Sequence, residues 1–153
     1  MTEKPRADVL PEHTCWMLLR SAEVGRLAVC DDGEVDIFPV NFVVDHGTIV
    51  FRTSKGTKMA AAGANPRVAF EVDGYEVETN EAWSVVIKGR TREITRLHDR
   101  IESYELPLFP WHGERKDHFL RITPDSTTGR SFRVNDSTAW STPITGARHA
   151  PAE

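Results

Sequence analysis

Cysteine is scarce in this sequence, with two in 153 residues. Cys15 and Cys30 form no CxxC pair, and a single pair in a chain of this size reads as two thiols rather than a disulfide framework. No apolar run approaches the roughly 18 residues that a membrane span needs. The first eight residues carry mixed charge with no apolar segment behind them, unlike a secretory signal, so the expected location is the cytoplasm. Positive charge is not in excess: 19 Lys and Arg stand against 23 Asp and Glu, which disfavours a general nucleic-acid binder. The histidines, at His13, His46, His98, His112, His118 and His149, include no i, i+4 pair of the kind that holds zinc on a helix. No acid–base pair stands out either.

What is present suffices for one domain, with 39% hydrophobic residues. Residues 11–22 predict a helix: Pro11 suits its first turn, Cys15, Leu18, Leu19 and Ala22 fall on one face, and Gly25 ends it. Residues 26–30 predict a strand, followed by a hairpin turn at Asp31-Asp32-Gly33-Glu34. In the next strand, 35–45, both alternating faces are largely apolar beyond Ile37. The chain's own core covers one face; the other needs a helix, a second subunit or a flat ligand. A stripe of Phe38, Val40 and Phe42 is expected to lie exposed in a monomer and so to call for a second subunit. Pro39 cannot donate to a ladder, so the strand is expected to be open or bulged there.

Further strands are expected at 48–53, 67–72, 83–94 and 119–122, and short helices at 57–63 and 96–105. The acidic stretch 71–81 reads as a solvated turn. Lys88, Arg90 and Arg92 fall on one strand face, either a solvated row or a surface for a polyanion. Residues 1–134 thus form a mainly β domain, a small barrel or sandwich, while 135–153 are polar and read as a disordered tail.

The segment Arg52-Thr53-Ser54-Lys55-Gly56-Thr57-Lys58 lies where a strand ends and a helix is expected to begin. Thr53, Ser54 and Thr57 offer hydroxyls, Lys55 and Lys58 charge, and the helix start free N–H groups, a set that suits a terminal phosphate. A polar turn with solvated lysines has the same composition, and the GxxxxGK motif of nucleotide-binding loops is absent. Asn41 either bonds a ring edge or satisfies a neighbouring backbone group.

Asp36 through Asp45, then Ile49-Val50-Phe51-Arg52-Thr53 and Gly56-Thr57-Lys58, resemble the FMN-binding split-barrel proteins, the pyridoxamine 5'-phosphate oxidase-like flavoproteins that include nitroimidazole-resistance proteins and deazaflavin-dependent reductases. The opening helix, Ala82 to Gly89 and Leu106 to Trp111 resemble the actinobacterial branch. The resemblance covers roughly residues 10 to 133. It implies a six-stranded antiparallel Greek-key split β-barrel that dimerises, with FMN between subunits and a small-molecule substrate. It also implies that Pro39, Val40, Asn41 and Phe42 run along the ring and that Thr53, Ser54, Thr57 and Lys58 hold the phosphate. Trp111 either covers the ring or anchors its Pro-flanked segment. Ile37 stands about where the true oxidase has a phosphate-reaching arginine, which leaves room for a different flavin. Arg96-Leu97-His98-Asp99-Arg100 is similar to a substrate-binding string of the true oxidase but stands in a different place along the chain, so vitamin synthesis is not the expected activity. The resemblance also admits a reductase using the deazaflavin coenzyme and a non-catalytic module that binds flavin or haem.

Lys58→Ala is expected to weaken FMN binding on the order of ten- to a hundredfold, because a charge-assisted phosphate bond is worth about 1.5–3 kcal/mol. Riboflavin lacks the phosphate and should bind almost unchanged; equal losses in fluorescence titrations would place Lys58 in folding or at the ring.

Overall fold

The computed structural model describes residues 7–53, 66–94 and 118–134. The expected helices at 57–63 and 96–105, the Leu106 to Trp111 segment and the tail lie outside them. The order is β1 (Asp8–Val9), α1 (Glu12–Ser21), β2 (Val24–Asp31), β3 (Glu34–Asp45), β4 (Thr48–Thr53), β5 (Arg67–Glu76), β6 (Glu81–Glu93) and β7 (His118–Arg133). The strands form one antiparallel sheet, ordered β1-β7-β4-β3-β2-β5-β6, and β6 also pairs with β7. That last pairing turns six strands into a ring, with the two-residue β1 added outside the expected six. Strands β2 to β5 follow the Greek-key order, β5 returning beside β2.

Both tight turns are two-residue hairpins with positive φ at each centre: Asp32 and Gly33 at 50° and 80°, His46 and Gly47 at 48° and 70°. Such turns match the twist of the strands that they join. On β3 the even positions face inward. Val40 and Phe42 are buried, with Phe38 and Val44 packed against the same core. This corrects the expectation of an exposed Phe38, Val40 and Phe42 stripe: the barrel covers those residues itself. The uncovered apolar side chains are Val35 and Ile37, 69% and 66% exposed, together with exposed Pro39.

Phe42 meets Phe70 edge to face at 4.9 Å between centroids, joining β3 to β5 across the core. Gly25 does not end the helix; it lies within β2, where a Cβ would stand 2.3 Å from the Phe70 ring. Two further stretches are more regular than expected. β5 runs through the acidic region to Glu76, because Val72 is buried and Arg26 takes up Glu71 and Asp73, leaving only residues 77–80 to turn. β7 runs to Arg133 rather than ending near Ile122, because β6 pairs with it along nearly its full length. The register shifts between Lys88 and Gly89, and Pro124 sits at that irregularity, where a missing donor is tolerated.

Helix α1 begins after Pro11, whose carbonyl accepts from Thr14 and Cys15 N–H. Its buried residues, Cys15 and Leu19, belong to the same core cluster as the inner strand faces, and the helix packs on β3, β6 and β7. Both cysteines are free thiols, and burial pushes that of Cys15 up. No helix among the described residues is long and apolar enough to cross a membrane.

The helix comes close to β7 at Gly129, where a Cβ would lie 2.5 Å from Cys15 Sγ. Gly129→Ala is therefore expected to cost about 1–3 kcal/mol in urea denaturation. Cys15→Ala in the same chain should recover part of it, giving a non-additive double-mutant cycle; additive losses would locate the strain elsewhere.

Candidate functional site

The site follows from unequal strand lengths. β3 has 12 residues and β4 only six. Their ladder runs from Asp45↔Thr48 to Phe42↔Phe51 and stops. Residues 34–41 of β3 pair with β2 alone among the described strands. Phe42 N–H donates to Glu23 O at 3.1 Å, on the β2 side. Backbone groups alternate along an antiparallel pair, so those of Ile37 and Pro39 point the other way, toward the open edge. Pro39 thus withholds no bond from the ladder, and β3 is open there rather than bulged.

The sequence-selected residues divide accordingly. Val40 and Phe42 are 1% and 3% exposed, so their side chains belong to the core, and their backbone groups face β2. Pro39 and Asn41 project from the outer face. Asn41 Nδ2 donates to Glu23 O at 3.4 Å. The reverse amide orientation would set oxygen against oxygen, so Oδ1 is the other atom, and it is buried with no hydrogen-bond partner. An orphaned acceptor costs about 1–3 kcal/mol. Thr53 is buried at the end of β4 and pairs with His118. Ser54, Thr57, Lys58 and Trp111 lie outside the described residues.

Charged and polar pairs tie the strands to one another. Arg26, cross-strand from Pro39, reaches Glu71 and Asp73 at 3.1 Å each. Asp73 and then Glu71 hold the Arg26 guanidinium more strongly protonated than usual. Glu71 is pushed up, first by burial and then by its hydrogen bond with Asp73. Arg121 bonds Asp45 at 3.0 Å and Thr48 at 2.6 Å, tying the β3–β4 turn to β7. Arg52 lies 5.3 Å from the centroid of the Phe119 ring. His118 Nδ1 stands 3.0 Å from Glu93 Oε1, a pair that sequence reasoning missed because 25 positions separate its members. Lys88, Arg90 and Arg92 do share an exposed face, and Arg90 stands 3.8 Å from Asp125. An open groove of about 470 Å³ lies away from Asn41, with Val35, Ala69 and Lys88 in its lining.

The pyridoxamine 5'-phosphate oxidase family model matches residues 11–131, from the start of α1 through almost all of β7. The chain belongs to this family. Among its relatives, the Mycobacterium tuberculosis protein Rv3129 is 38% identical over 91 residues, covering 60% of this chain and 81% of its own length. A solved FAD-binding protein from Mycobacterium smegmatis is 37% identical, with a TM-score of 0.70 over 82% of this chain and 98% of its own. A FAD-binding protein from Mesorhizobium loti is 25% identical, with a TM-score of 0.72 over 82% and 97%. These likenesses agree with the split barrel seen here. The matched span includes every site residue named above, among them Ile37, which is exposed on the open edge.

Proposed function

We propose that this chain is a flavin-binding oxidoreductase acting on a small molecule, with the ring held along the open edge of β3. The observation that carries the reading is Asn41 Oδ1, a buried acceptor without a donor beside an unpaired strand edge. The pyrimidine edge of a flavin ring carries an N–H that an amide oxygen accepts. Ile37 and Pro39, apolar and exposed on the same face, suit its flat surface. A bound flavin supplies hydride or electron transfer; the protein's part is to orient the ring and exclude water. Thr53 and the segment that follows it would meet the anionic tail.

FMN is the cofactor expected from the sequence. FAD is the second reading, favoured by the FAD-binding proteins of the same fold at 37% and 25% identity and by Ile37 in place of an arginine. Purified protein titrated with FMN, FAD and riboflavin should quench flavin fluorescence saturably at micromolar concentration. The absence of a saturable change with any of them, together with clear binding of the deazaflavin coenzyme or haem, would overturn the choice of cofactor. Turnover with a reduced nicotinamide donor separates an enzyme from a carrier.

Asn41→Leu separates a binding role from a structural one. Glu23 O keeps its bond from Phe42 N–H, so the change removes the orphaned acceptor at little structural cost. The unliganded variant should melt no lower than wild type, while all three flavins lose affinity on the order of tenfold. A lower melting temperature with unchanged flavin binding would make Asn41 structural.

A homodimer belongs to the same reading. Val35, Ile37 and Pro39 form an uncovered apolar stripe on a strand edge, an aggregation hazard that a second copy removes. Light scattering should give a dimer for the full chain and for a chain truncated after Val134. A monomeric full chain refutes this, and a dimer lost only on truncation assigns the cover to residues 135–153.

A further inference from the structure

The ring of strands is closed unevenly. β5 pairs with β6 along its whole length, from Arg67↔Arg90 to Glu76↔Glu81, but it meets β2 only from Arg26↔Glu71 to Ala28↔Ala69. Past that last pair, β2 runs on to Asp31 and β5 reaches back to Arg67, with no ladder between these ends. The groove of about 470 Å³ lies in this gap, bordered by Cys30 on one strand and Arg67 on the other.

The gap reaches inward as far as the core. Val29 and Val68, 1% and 7% exposed, belong to the hydrophobic core and also line the groove. Outside them, Ala28, Ala69 and Lys88 are neighbours across β2, β5 and β6. The two alanines make a low apolar floor, and Lys88 stands at its end, roughly 10 Å from Ala28 across two strand spacings. Charge on the groove is mostly positive. Arg67 and Lys88 are exposed there, and Asp125 is the acid in the lining. Asp125 stands 3.8 Å from Arg90, and Lys88 has no ion-pair partner among the described residues.

A concave, mainly apolar surface with a few charged groups is the usual form of a small-molecule site, and this volume falls within the usual range. We propose that the gap between β2 and β5 binds an organic anion with a flat apolar body. The hydrocarbon lies against Val29, Val68 and Ala69, and the carboxylate lies on Lys88. A neutral molecule of the same shape would cover the same floor, but a carboxylate adds a charge-assisted hydrogen bond at its end. The groove lies away from Asn41, so this site goes beyond the flavin reading and does not depend on it.

The chain carries its own reporter. Cys30 lines the groove, whereas Cys15, the other thiol, is fully buried. Alkylation of the full chain by iodoacetamide, followed at Cys30 by peptide mass, tests the proposal with naphthoate and its uncharged counterpart naphthalenemethanol. Naphthoate should slow the labelling saturably, and the alcohol should bind on the order of tenfold more weakly. Lys88→Met keeps an apolar stem without the charge. It should lower naphthoate to the affinity of the alcohol and leave the alcohol unchanged. Ala69→Leu fills the floor and should remove protection by both, with an unchanged melting temperature showing that the fold is kept. Should that variant fail to fold, the Lys88→Met contrast decides. No saturable protection by naphthoate, equal affinities for acid and alcohol in wild type, or a preference that survives Lys88→Met overturns the proposal. A Cys30 that reacts only on dilution shows a second copy seated in the groove and overturns it as well.

Discussion

The pairing of β6 with β7 is the interaction on which the rest depends. These strands stand near opposite ends of the sheet order, and their ladder, from Glu81↔Arg133 to Glu93↔Leu120, bends an open sheet into a ring. Closure removes two long edges that would otherwise be free to pair with other chains. It also creates an inside. Once the ring exists, residues as distant as Leu27, Phe51, Phe70, Ile87 and Ile122 share one core, and each large apolar side chain buried there contributes roughly 1.5–3 kcal/mol. Helix α1 adds Cys15 and Leu19 to that core, and Gly129 on β7 leaves room for it.

A ring of strands with unequal lengths cannot be zipped throughout. β4 is only six residues long, and β3 continues past it. The open edge therefore lies where two lengths fail to match, and a proline there withholds nothing from the ladder. The same mismatch puts Asn41 at the boundary between paired and unpaired backbone. Its Nδ2 turns to Glu23 O while Oδ1 is left without a donor. A buried acceptor without a donor costs about 1–3 kcal/mol there.

Much of the frame was legible along the chain. The turns at Asp32-Gly33 and His46-Gly47 announce themselves because few residues accept positive φ. The stripe of Cys15 and Leu19 and the alternation of Val68, Phe70 and Val72 depend on local periodicity. The far half of β7 was not legible. Thr123-Pro124-Asp125-Ser126 has loop composition, and only a partner strand holds it extended. The acids of 71–81 misled similarly, since Arg26, some 45 residues earlier, donates to two of them.

By itself the sequence determined the antiparallel β class, the hairpins, the helix and strand β3, because these rest on periods of two and 3.6 residues and on turn chemistry between neighbours. It did not determine which face of β3 is inside. Both faces are apolar, and alternation says only that they differ. Ring closure decided that Val40 and Phe42 serve the core while Ile37, Pro39 and Asn41 face out. Tertiary structure alone also brought Glu93 to His118. Such contacts depend on strand register across the whole barrel, a long-range quantity that no local pattern of residues encodes.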